Sequence, residues 1–133
     1  MRSPILAAAA LAVATVLPSI AQAQDAAAGE RVFAQCRACH QIGPTARNGV
    51  GPILNGIFGR NAGSREGYNY SDAYKADDIK NKVWSPENFA VYIRDPRAVT
   101  PGTRMVFAGV KNDTQIADLT AYLASFNPDG SRK

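Results

Sequence analysis

Cys36-Arg37-Ala38-Cys39-His40 gathers both cysteines and the single histidine of this 133-residue chain into five consecutive positions. On a helical turn, residues three and four apart lie on one side. The two thiols and the imidazole therefore face the same object. A thiol-redox pair of this spacing belongs beside a β-α-β pattern, which the chain lacks. A zinc site needs four ligands, and no second Cys/His pair exists to close the tetrahedron. The reading left standing is the Cys-x-x-Cys-His pattern for covalent attachment of a c-type haem. Both thiols then reach the two vinyl groups of one porphyrin, and His40 presents its ring to the iron.

The rest of the chain is consistent with one small domain around that motif. Fifteen Lys and Arg against 11 Asp and Glu give a net charge of +4, spread along the sequence. A nucleic-acid binder would carry a denser basic stripe, so that class is set aside. Two cysteines exclude a multi-disulfide scaffold. Met1 to Ala23 has the features of a cleaved secretory leader: Arg2, an uncharged run from Ile5 to Leu17, Pro18, and small residues at Ala21-Gln22-Ala23. As a helix that run rises about 20 Å, short of a hydrocarbon core about 30 Å thick. The expected mature protein is Gln24–Lys133, exported to the periplasm and without stable membrane insertion. It keeps 14 basic and 11 acidic residues, and its 21 Leu, Ile, Val and Phe make up 19%. That share borders on too little for a core, which suggests that a non-protein group completes it.

The segments read as an all-α domain with long irregular loops. Asp25 is an N-cap before Ala26-Ala27-Ala28, with Glu30 expected in the first turn, and Gly29, Val32, Phe33 and Cys36 share a face. Glycine and proline punctuate residues 41–67 and leave little scope for a long helix there. Ser71 or Asp72 opens a short polar helix running towards Lys80. Ser85-Pro86-Glu87 starts another, which carries Phe89, Tyr92 and Ile93 on one face and ends at Pro96. Asn112 and Gln115 form a capping pair for a last helix with an Ile116, Leu119, Leu123, Phe126 stripe.

Met105 is the only methionine beyond the leader, and it stands in the turn-rich Pro101-Gly102-Thr103-Arg104-Met105. A lone methionine is commonly core filler. In a chain with a haem and one histidine, its soft thioether is also the available sixth ligand, and such ligation raises the reduction potential.

Taken together, these stretches resemble the class I c-type cytochromes, of the mitochondrial and bacterial cytochrome c2 kind. The likeness runs through Cys36–His40 and Gly51-Pro52-Ile53-Leu54-Asn55-Gly56-Ile57-Phe58-Gly59-Arg60. It continues in Tyr70-Ser71-Asp72-Ala73, Trp84, the Pro101–Gly109 stretch and Asp118-Leu119-Thr120-Ala121-Tyr122-Leu123. It implies one haem c, attached through Cys36 and Cys39, with His40 and Met105 as axial ligands. It further implies that the Pro52 carbonyl accepts the other N–H of His40. Arg60, Tyr70, Ser71, Trp84 and Thr103 would hold the haem propionates or their surroundings. Tyr92 would hydrogen-bond the methionine sulfur, and Phe107 would pack over the exposed haem edge. Gly29 and Phe33 would cross Leu119 and Tyr122.

The implied activity is one-electron transfer between a quinol-oxidising membrane complex and a terminal acceptor: an oxidase, a photosynthetic reaction centre or a reductase. A peroxidase, a small-gas reductase or a gas sensor would need an open sixth position, and the chain offers no second histidine or other distal acid–base group. Nothing in the sequence points beyond a monomer. Two departures from the mitochondrial pattern stand out. Tyr74 occupies the place of a small amide, in a segment to Val83 that is about three residues longer than usual. The lysine ring is thinned at Gln35 and Asn112, while Arg97, Arg104 and Lys111 keep the charge, so steering to an acidic partner should be weaker.

Overall fold

A computed structural model describes residues 24–133; the leader expected over Met1–Ala23 lies outside the described residues. The Asp25 carboxylate accepts from the N–H groups of Ala27 and Ala28 at 2.9 and 3.1 Å, satisfying donors that a helix start leaves free. It thereby opens α1 (Ala26–Phe33). Glu30 falls in the second turn rather than the first, because the helix begins at Ala26, and it pairs with Arg37 at 3.4 Å. The chain then tightens into a 3-10 turn at Ala34–Cys36.

The loop from residue 41 onward is held by side chains in place of a backbone ladder. Asn55, 4% exposed, receives the Gly43 N–H and donates to the Gly43 carbonyl, both at 2.8 Å. The single polar helix expected towards Lys80 is two short ones, α2 (Asp72–Lys75) and α3 (Asp77–Lys80). Ala76 separates them by taking extended backbone, with ψ at 145°. Backbone bonds from Ala62 to Lys82 and from Trp84 to Arg60, at 2.7 and 2.9 Å, bring Trp84 against the loop.

Ser85 and Asn88 form a reciprocal capping box at the start of α4 (Pro86–Arg94). Pro96 stops α4 through its neighbour: the residue before a proline is driven out of helical backbone, and Asp95 sits at φ −159°. Lacking an N–H, Pro96 then suits the first position of α5 (Pro96–Val99), capped by Asp95. Asn112 accepts from the Gln115 N–H at 3.0 Å and opens α6 (Asp113–Ala124).

Helices α1 and α6 cross where Gly29 lies. A methyl group at Gly29 would stand 1.9 Å from the Asp118 carbonyl oxygen and 2.8 Å from Tyr122 Cβ, so only glycine permits this approach. The rings of Phe33 and Tyr122 meet at 5.3 Å beside buried Leu119 and Leu123. No strand occurs among the described residues, only two isolated bridges, Asn61 with Val83 and Phe126 with Arg132. The fold is the small all-α one expected. No helix among the described residues is long and apolar enough to cross a membrane.

Candidate functional site

The α1/α6 pair, α4 and the glycine-punctuated loops enclose a cavity of about 360 Å³. Every candidate site residue named from the sequence lines it, from Cys36 and His40 on one side to Thr103, Met105 and Phe107 on the loop before α6. Leu54, Ile57, Phe89 and Leu119 make the walls apolar.

The thiol and imidazole groups come together through local geometry. The Cys39 and His40 N–H groups both bond the Cys36 carbonyl, at 3.1 and 2.9 Å, which closes the turn that aligns all three side chains. Burial pushes the Cys36 thiol up to about 11, with the neighbouring Cys39 adding to the effect. His40 Nδ1 lies 2.7 Å from the Pro52 carbonyl oxygen. A carbonyl can only accept, so Nδ1 carries the proton and Nε2 keeps its lone pair for a metal. Burial holds the imidazole below its usual range, partly opposed by the bond to Pro52, and favours the neutral ring that a metal requires.

The Met105 thioether lines the same cavity. Tyr92, 6% exposed, donates to Met105 Sδ at 3.3 Å. The Met105 N–H bonds Thr103 Oγ1 at 3.2 Å, which fixes the loop carrying the sulfur. Trp84 packs edge-on against Tyr92 at 5.0 Å between ring centres. Tyr92 also receives the Tyr74 hydroxyl at 2.5 Å. Burial raises both phenols above the ordinary tyrosine value.

The polar residues of the cavity have unmet capacity. Ser71 Oγ is buried with no hydrogen-bond partner among the described residues. The Arg60 guanidinium is half-buried against the carbonyls of Asn55 and Ile53, at 3.2 and 3.3 Å, and no carboxylate among the described residues pairs with it. Tyr70 lies near it and accepts the Arg65 N–H at 3.0 Å. An orphaned hydroxyl and an uncompensated cation in an otherwise apolar space fit a ligand that is largely apolar with an anionic edge. Two thiols, a neutral imidazole and a thioether fit one that carries a soft-ligated metal and is covalently tethered. Haem c has these properties.

Sequence reasoning missed Gly51. A methyl group there would lie 2.5 Å from His40 Cε1, so the glycine is the floor on which the ring rests. It also missed Tyr68, whose hydroxyl donates to the Val50 carbonyl at 2.6 Å and steadies the same loop. Gly51 lies in the glycine-rich run and Tyr68 just after it, but the packing that gives them a role spans distant segments.

Comparison with known proteins agrees with this chemistry. The sequence pattern of the cytochrome c family matches residues 26–127. Cytochrome c2 of Blastochloris viridis is 57% identical over 120 residues, covering 90% of this chain and 91% of that protein. Among solved structures, cytochrome c2 from Rhodospirillum centenum superposes with a TM-score of 0.72 at 38% identity, covering 78% of this chain and 99% of that one. Cytochrome cH from Methylobacterium extorquens gives 0.67 at 42%, covering 74% and 96%. A family pattern spanning the domain, and relatives this similar over nearly their whole length, place the chain in the cytochrome c family, electron carriers that hold one covalently attached haem c.

Proposed function

We propose that the chain is a soluble periplasmic one-electron carrier in which Cys36 and Cys39 tether the haem and His40 and Met105 are its axial ligands. The observation that carries this reading is the convergence of His40, its Nδ1 committed to Pro52, and Met105, its sulfur held by Tyr92, on one apolar cavity. When bound, the haem supplies one-electron cycling between ferric and ferrous iron. The protein's part is to keep its own side chains still. The bond from His40 to Pro52 fixes the ring plane and its basicity. The bond from Tyr92 draws electron density from a thioether that already prefers ferrous iron, so the thioether and its hydrogen bond together favour a high potential. Arg60 and Ser71 offer a cation and a hydroxyl to the anionic edge of the ligand, with Tyr70 and Trp84 around them. Apolar walls exclude water.

Transfer would occur where the cavity reaches the surface beside Phe107. Next to it Val106 is 86% exposed, an apolar contact point, and Arg97, Arg104 and Lys111 are exposed on nearby stretches of the sequence. This surface suits brief docking to acidic redox proteins, with a quinol-oxidising membrane complex as donor and an oxidase, reaction centre or reductase as acceptor. The leader pattern of Met1–Ala23 supports export.

Replacing Met105 with Ala tests the ligation. The variant should keep its haem, bind added imidazole or azide readily, and lose reduction potential. Wild-type potential in Met105→Ala would refute the axial assignment.

A further inference from the structure

Tyr74 lines the cavity but has no part in that scheme, and its hydroxyl is the outer end of a chain of hydrogen bonds. It sits on α2, its ring edge-on to Tyr92 at 6.4 Å between centres and stacked on Tyr70 at 5.7 Å. Its hydroxyl lies 2.5 Å from the Tyr92 hydroxyl, which in turn lies 3.3 Å from Met105 Sδ.

Counting protons fixes the direction of the chain. A thioether has none to give, so Tyr92 is the donor to Met105. A phenol has only one, so towards Tyr74 the Tyr92 oxygen can only accept, and Tyr74 donates. We propose that Tyr74 is a positioning residue that orients and polarises the Tyr92 hydroxyl towards the Met105 sulfur, and so biases the protein towards its ferrous state. The proposal rests on Met105 being the axial ligand. Successive hydrogen bonds strengthen one another by about 10–30% each. Without Tyr74, the Tyr92 proton is less acidic and free to turn away from the sulfur. The thioether then donates more electron density to the metal, which helps ferric iron most.

The test is a double-mutant cycle on the full holoprotein: wild type, Tyr74→Phe, Tyr92→Phe and the double variant, each keeping its rings. Tyr74→Phe should shift the ferric–ferrous equilibrium two- to tenfold towards ferric, read as a fall of about 20 to 60 mV at 59 mV per tenfold for one electron. With Tyr92 already Phe, adding Tyr74→Phe should change nothing further. A wild-type potential in Tyr74→Phe overturns the proposal. So does an equal shift in both backgrounds, because Tyr74 would then act through packing or hydration and not through Tyr92.

Proton NMR of the reduced wild type gives a check that needs no variant. A slowly exchanging Tyr92 hydroxyl proton close to the Met105 methyl supports the direction assigned, and one turned towards Tyr74 overturns it. The sulfur-to-ferric-iron absorption band separates the two readings. If the wild type lacks it, Met105 ligation fails and this inference with it; if the band is present and the potential shift absent, only this inference fails.

Discussion

Gly51→Ala adds a single methyl group at the floor of the His40 ring. The new Cβ would stand 2.5 Å from Cε1 and 2.8 Å from both ring nitrogens, short of ordinary contact at 3.4 Å by about 0.9 Å. Neither side yields easily, because Nδ1 is tied to Pro52 at 2.7 Å and the Gly51 N–H to the Cys39 carbonyl at 2.8 Å. Overpacking a close-fitted site costs about 1–3 kcal/mol, and losing the His40 bond about 1 more. Alanine returns about 0.4–1 kcal/mol by restricting the unfolded chain. The net expectation is a loss of about 2 kcal/mol. Gly49→Ala is the matched control. Its nearest neighbour across space is the Cys39 carbonyl oxygen at 3.8 Å, and Gly49, like Gly51, has no left-handed φ. It should be neutral or gain up to about 1 kcal/mol. Urea titration of both holoproteins, followed by far-ultraviolet circular dichroism, gives the comparison directly. Equal midpoints for the two variants would refute the argument that the ring rests on Gly51.

Three further predictions follow from the same geometry. Gly29→Ala drives a methyl group into the backbone of α6, so despite better helix propensity it should lose about 2 kcal/mol or more in the same titration; wild-type stability would mean that the helices cross elsewhere. Burial raises Tyr74 and Tyr92 above the ordinary value of 10. The unfolded chain therefore releases those protons first, and folding stability should be intact below pH 10 and fall as pH rises beyond it. Tyrosinate absorption of the folded protein should accordingly lag that of the denatured protein, and coincident titrations would contradict the burial of these phenols. Finally, oxidation by an anionic reagent such as ferricyanide should slow as salt rises, because Arg97, Arg104 and Lys111 are exposed; a rate indifferent to ionic strength would count against a basic docking face.

What could be read from the sequence was what is settled locally. The caps at Asp25, Ser85 and Asn112 each act within three residues, and each helix begins where its cap indicates. The Cys36–His40 turn is likewise set by one stretch of chain. Where the outcome depends on distant segments, the pattern was silent or misleading. The break at Ala76 carries no glycine or proline to announce it. Pro96 was recognised as a stop, but its second role as the start of α5 required the Asp95 side chain as a cap. The polar edge of the cavity lay further out of reach. Nothing in residues 60, 71 or 92 taken singly points to an orphaned hydroxyl, an uncompensated guanidinium or a phenol aimed at sulfur; only resemblance to a family did. The link from Tyr74 to Tyr92 spans 18 residues and becomes visible only when the fold brings the two hydroxyls together.

The central claim is a covalently held haem ligated by His40 and Met105, and the visible to far-red absorption spectrum of the purified protein, oxidised and then reduced, tests it most directly. The account predicts a c-type haem spectrum that shows the weak sulfur-to-ferric-iron band when oxidised and loses it on reduction. A c-type haem spectrum without that band in the oxidised protein would contradict Met105 ligation.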